Sequence, residues 1–238
     1  MSPVKASHTA RERARAELTR EIVEEARRQL AETGAPGLSL RAVARELGMV
    51  SSALYRYFPS RDHLLTALII DAYDALGEAA EAAVAAYPGR SSRVRWLAAC
   101  RAIRAWALDH PHEYALIYGS PVPGYEAPQA TIGPASRVPL AFARVLADAV
   151  AAGALRTGDG PALDGELAAQ AGALATVLAE SGAIAVPPDA LVRAVIAWAQ
   201  LFGMISFELF GQFVGSFEPA DAAFEYAAAQ LASFVGLE

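Results

Sequence analysis

The 238-residue sequence predicts an all-α fold: an N-terminal three-helix domain containing a helix-turn-helix, followed by a larger helical C-terminal domain. Three observations carry this expectation. Alanine recurs throughout while β-branched runs stay short and scattered, which favours helix over strand. Apolar residues return at three- and four-residue spacing in one segment after another. Glycine and proline cluster between those segments, where helices must stop. With 54% hydrophobic positions and a positive mean hydropathy, the chain can bury a sizeable core.

The first helical pattern runs from about residue 10 to 32, with Leu18, Ile22, Ala26 and Leu30 on one stripe; Gly34 and Pro36-Gly37 end it. Ser39 then stands at an N-cap position before Leu40, Val43, Ala44 and Leu47, and Gly48 stops that short helix. A second short segment, 51–57, is closed by Pro59, after which Ser60 caps a long pattern reaching toward Tyr87. Two short helices joined by a glycine turn describe a helix-turn-helix. Beyond Pro88-Gly89, helices are expected over 91–110, 112–118, 135–153, 163–181, 189–212 and 220–236, with 119–134 as the one long loop. The domain boundary is placed after residue 65, giving domains 1–65 and 66–238.

Charge is distributed unevenly. Through His63 there are 11 basic and 8 acidic residues, whereas the remainder has 9 basic and 18 acidic, so a basic head precedes an acidic body within a net charge of −6. A basic head suits a phosphate backbone, although such asymmetry is often only a solvated face. The single cysteine, Cys100, allows no intrachain disulfide or cysteine-based zinc site, so a reducing cytoplasm is expected. Neither a signal peptide nor a membrane span is expected. His110 and His112 lack the companions a metal site needs, and a helix starting at Pro111 accounts for them; no metal and no cofactor are expected.

In the segment 49–61, helical geometry turns Leu54 and Phe58 inward and leaves Ser51, Ser52, Tyr55 and Arg56 outward. The Arg56 fork matches guanine O6 and N7, while the hydroxyls of Ser51, Tyr55 and Tyr57 suit phosphate oxygens. Packing tyrosines and a solvated arginine would explain the same residues. The runs Leu40 to Gly48 and Ala53 to Arg61 resemble, in order and spacing, the DNA-binding domain of the TetR family of transcriptional regulators. The resemblance spans about Leu18 to Leu68 and implies operator contacts from Ser39, Arg41, Val50, Ser51, Ser52, Tyr55, Arg56, Tyr57 and Arg61. Val50 either meets a thymine methyl group or packs on the preceding helix. Trp198, Phe202, Gly203 and Glu208 to Gly211, with Pro111 to Tyr114 and Tyr118 to Pro121, are similar to the WHG subgroup of that family.

The resemblance implies a homodimeric regulator, with repression as the family's default, that holds double-stranded operator DNA and is released by a small-molecule effector. Candidate effector residues are Trp106, Tyr114, Tyr118, Phe142, Arg144 and Trp198, although aromatics at helical spacing are more often plain core. Candidate dimer residues are Phe202, Leu209, Phe213, Phe224, Leu231 and Phe234, on helices whose alanine and glycine permit close approach. An enzyme is the rival class, yet the chain lacks a G-x-S-x-G elbow and a G-x-G-x-x-G loop, and its one lysine, Lys5, is misplaced for a P-loop. A helical scaffold for a protein partner is the other alternative.

Overall fold

A computed structural model describes residues 3–158, 160–182 and 184–238, with the side chains of 3–10 and 181 left aside. Among the described residues the chain is helical throughout, and its only bridge of strand type pairs Leu155 with Leu237. The helices are α1 (Pro3–Gly37), α2 (Leu40–Glu46), α3 (Ser51–Leu54), α4 (Arg61–Ala85), α5 (Ser92–Asp109), α6 (Pro111–Tyr118), α7 (Ile132–Ala151), α8 (Gly165–Gly182), α9 (Pro188–Leu209) and α10 (Asp221–Phe234).

Packing divides the chain into two units, and the division is discontinuous. One unit holds residues up to Tyr73 together with His110–Ile132; the other holds Asp74–Asp109 and Gly133–Glu238. The division falls inside α4, eight residues beyond the boundary expected after residue 65, and α6 with the loop behind it packs with the N-terminal helices.

In the first unit Ile22 and Ala26 of α1 meet Leu40 and Val43 of α2, Leu54 of α3, and Leu64, Leu65 and Leu68 of α4, all buried. Each large aliphatic side chain removed from water contributes about 1.5–3 kcal/mol before the entropy of ordering is counted. Leu116, Ile117, Val122 and Tyr125, from α6 and the loop, cover the same core. In the second unit Trp96 of α5 packs on Phe142 of α7 at 4.3 Å between centroids with the rings tilted by 45°, and Ile103, Leu146, Leu201 and Phe224 are buried in the same unit. Arg93 of α5 closes the C-terminal end of α10, donating to the carbonyls of Ala229 and Leu237 and to the Ser233 hydroxyl.

Several element ends differ from the sequence expectation, the largest at α1, which runs Pro3–Gly37 rather than about 10–32 and is kinked at Gly34, where φ is 68°. Segment 51–57 is regular helix only through Leu54, and the chain continues as turns to Tyr57. The expected loop 119–134 contains a 3₁₀ turn at Gln129–Thr131, where the buried Thr131 hydroxyl donates to the Pro128 carbonyl, and α7 therefore begins at Ile132. Helix α9 stops at Leu209, three residues early, with Gly211 at φ 76° leading the chain out of register.

Candidate nucleic-acid interface and effector cavity

The helix-turn-helix is set by local signals. Ser39, in an extended conformation, caps α2 by accepting the Ala42 amide at 3.4 Å. At the other end Gly48 adopts φ 64°, and the Met49 amide reaches back to the Ala44 carbonyl at 2.8 Å. An L side chain at residue 48 would cost about 1–2 kcal/mol in that left-handed conformation. Ser60 accepts the His63 amide at 3.3 Å and starts α4.

Leu54 and Phe58 are buried, so α3 is pinned by its inner face. Its outer side presents Val50, Ser52, Tyr55 and Arg56 to solvent, with Ser51 and Tyr57 half-buried; Arg41 projects from α2. Val50 is 70% exposed, which removes the alternative that it packs on the preceding helix. The guanidinium of Arg15 lies 5.1 Å from the centre of the Tyr57 ring. Arg61, expected among the operator contacts, also bonds within the protein. Its guanidinium donates to the carbonyls of Ala35 at 2.6 Å and Leu38 at 3.3 Å, tying the start of α4 to the turn between α1 and α2. Carbonyls at a helix end need donors, and a fixed planar cation supplies two at once.

An ionic cluster missed by sequence reading joins three helices of this unit. Arg27 of α1 lies 3.2 Å from Glu113 of α6 and 3.6 Å from Asp71 of α4, and also pairs with Glu24. Nearby, Tyr73, Tyr114 and Tyr118 pack edge and face, and Tyr125 hydrogen-bonds Thr66 at 2.9 Å. Burial raises the Tyr73 and Tyr118 phenols above their usual 10. Residues so far apart in sequence leave no periodic trace, although the helix start at Pro111 was a partial signal.

In the second unit a cavity of about 210 Å³ lies among α7, α8 and α9, walled by Leu140, Phe142, Leu178, Leu191, Val195 and Trp198. No charged side chain lines it. Of the expected effector residues it brings together Phe142 and Trp198. Trp106 is buried elsewhere in the core, Arg144 is exposed away from the lining, and Tyr114 and Tyr118 belong to the first unit.

The expected dimer residues divide as well. Phe202, Phe224 and Leu231 are 6%, 2% and 5% exposed, so they serve the protomer's own core and have little surface left for a partner. Leu209 and Phe213 are half-buried and Phe234 is exposed. Apolar side chains that do face solvent include Leu167, Leu174 and Val177 on α8 and Val195, Ile196 and Phe207 on α9. Glu208 is also committed within the protomer: Arg104 grips it in a bidentate pair at 2.6 and 2.7 Å, with both side chains mostly buried.

A capped short helix, a glycine turn and a second short helix with small, hydroxylic and basic residues outward define a helix-turn-helix protein. Residues 22–68 match the model of the bacterial regulatory proteins of the tetR family, and residues 96–231 match the tetracyclin repressor-like C-terminal domain. The chain is 43% identical over 205 residues to the HTH-type transcriptional regulator Rv1816 of Mycobacterium tuberculosis, covering 84% of each chain. It superposes on the crystal structure of the regulatory protein SCO4313 with a TM-score of 0.69 at 38% identity, over 93% of this chain and 98% of that one. The fold, at 17% identity and a TM-score of 0.54, also resembles that of RolR in complex with resorcinol, over 95% of this chain and 91% of that one. The chain belongs to the TetR family of helix-turn-helix transcriptional regulators, which is not a family of enzymes.

Proposed function

We propose that the protein is a cytoplasmic, homodimeric repressor that binds a palindromic operator through α2 and α3 and is released when a small uncharged effector occupies the cavity among α7, α8 and α9. The observation that carries the reading is the outward set on a rigidly capped frame: Arg41, Val50, Ser52, Tyr55 and Arg56 are exposed while Leu54 and Phe58 anchor them from behind. In this reading Arg56 reads a base edge, Val50 meets a thymine methyl group, and Ser39, Arg41, Ser51, Ser52, Tyr55 and Tyr57 hold the backbone. Arg61 acts indirectly, by fixing the turn that positions α2.

Residues 1–65 then read DNA and 66–238 bind effector and partner. The WHG type is proposed for the latter on Trp198, Phe202, Gly203 and Glu208 to Gly211. Charge-free walls favour an uncharged apolar compound. Helix α9 supports dimer formation: its most apolar stretch is only 33% buried within the protomer. Helix α4 contributes residues to both packing units, so a ligand that tilts it changes the separation of two half-site readers, which must stay near one DNA turn or a multiple of it. Coupling of this kind is reciprocal.

Gel shifts at two salt concentrations test the reading. A regulator of this kind loses affinity steeply with salt and still prefers one sequence. Binding that is insensitive to both salt and sequence would favour the scaffold alternative. Once an effector is in hand, equal affinity for free and operator-bound protein would mean the cavity is not coupled to DNA.

A further inference from the structure

Helix α1 begins at Pro3, while the match to the DNA-binding family model begins at residue 22. Five turns of helix therefore precede the part that the family model accounts for. Residues 11, 15, 18 and 22 are spaced by four, three and four, so in a helix they fall within a sector of about 60°. The inner end of that stripe is apolar: Ile22 is fully buried and Leu18 half-buried. Its outer end is Arg15 and Arg11. The change of chemistry coincides with a change of surroundings, because Arg15 no longer meets the core but lies over the ring of Tyr57, at the end of the recognition segment. Arg11 stands one turn further out, about 6 Å along the axis, and is exposed. Arg13 and Glu17 lie on the opposite side of the helix.

A stripe that merely overran its core into water would need no alignment with the recognition segment. We propose that the N-terminal extension of α1 is a second DNA-contacting element, in which Arg11 meets a backbone phosphate beside the groove occupied by α3 and Arg15, packed on Tyr57, sets its direction. The inference rests on the DNA-binding reading above. It assigns a sequence-independent contact, since a guanidinium on phosphate carries no base information.

The test uses the full-length protein and a mixed-sequence 40-bp duplex, followed by fluorescence anisotropy from 50 to 300 mM KCl. Each phosphate neutralised adds about 0.9 to the slope of log affinity against log salt, equivalent to about fivefold in affinity at 0.15 M. Arg11→Ala should lower the slope by about 0.9 for each protomer bound, Arg11→Lys should restore it, and Arg13→Ala should leave it unchanged. A slope for Arg11→Ala equal to that of wild type, or an equal fall for Arg13→Ala, overturns the proposal while leaving the DNA-binding reading standing. Wild-type protein with no salt-dependent binding at all overturns both.

Discussion

Replacing Arg61 by alanine separates two roles that an arginine following Pro59-Ser60 can have. The structure gives its guanidinium two backbone acceptors, Ala35 at 2.6 Å and Leu38 at 3.3 Å, with the side chain 32% exposed. A hydrogen bond from a charged donor contributes about 1.5–3 kcal/mol. The longer bond counts for little, the Ala35 carbonyl keeps the Leu38 amide as a second donor, and solvent screens the charge. The expected loss is therefore about 2 kcal/mol, confined to the first unit. All three tryptophans, Trp96, Trp106 and Trp198, lie in the second unit, so tryptophan fluorescence serves as an internal control. Amide hydrogen exchange across residues 18–68 should quicken by about thirtyfold while the fluorescence-detected urea midpoint stays put. Unchanged exchange, together with an equal loss of affinity for every DNA sequence, would refute the structural role and return Arg61 to the phosphate backbone.

Other consequences follow from the same geometry. Arg56→Ala should lose discrimination at one base pair of each half-site by about 1–3 kcal/mol, seen by comparing operator variants; equal losses on specific and random DNA would count against base reading. Val177→Glu and Ile196→Glu place a carboxylate on the exposed apolar faces of α8 and α9, which are 57% and 40% exposed at those residues. Each should convert dimer to monomer in sedimentation at micromolar concentration, because an unpaired buried charge costs several kcal/mol; a persisting dimer would move the interface elsewhere. The hydrogen-bonded Arg137 guanidinium holds the Glu81 carboxyl below its ordinary 4.5. The unfolded chain then binds more protons between the folded value and 4.5, so the stabilisation is complete above 4.5 and fades as pH falls through the folded value. The urea midpoint of Glu81→Gln should accordingly drop less than wild type between pH 7 and pH 3.5, by tryptophan fluorescence; identical drops would exclude Glu81 as a source.

The elements most legible in the sequence are those with local causes. Ser39, Gly48, Pro59 and Ser60 act within three or four residues of themselves, and the helix-turn-helix they delimit stands where the periodicity put it. Which side chains of α3 face outward was legible for the same reason: the inward positions Leu54 and Phe58 fix which neighbours face out. What escaped depends on partners distant in the chain. Arg61 reaches carbonyls 23 and 26 residues away, and Glu113 finds Arg27 across more than 80 residues. Which apolar residues of α9 serve the protomer's own core was not legible, because α9 is apolar around most of its circumference. Phe202 and Phe207 look alike in sequence, yet they sit about 140° apart on the helix, and one is 6% exposed and the other 54%. Only the packing of α8, α9 and α10 distinguishes them.

Selection from a random duplex library, with sequencing of the bound fraction, asks whether α2 and α3 read sequence and whether they do so in pairs. The expected result is an enriched inverted repeat whose half-site centres lie one helical turn, about 34–36 Å, or a multiple of that apart, with Arg56→Ala relaxing one position in each half. A bound pool with no enriched sequence, or a single unrepeated motif, would contradict it.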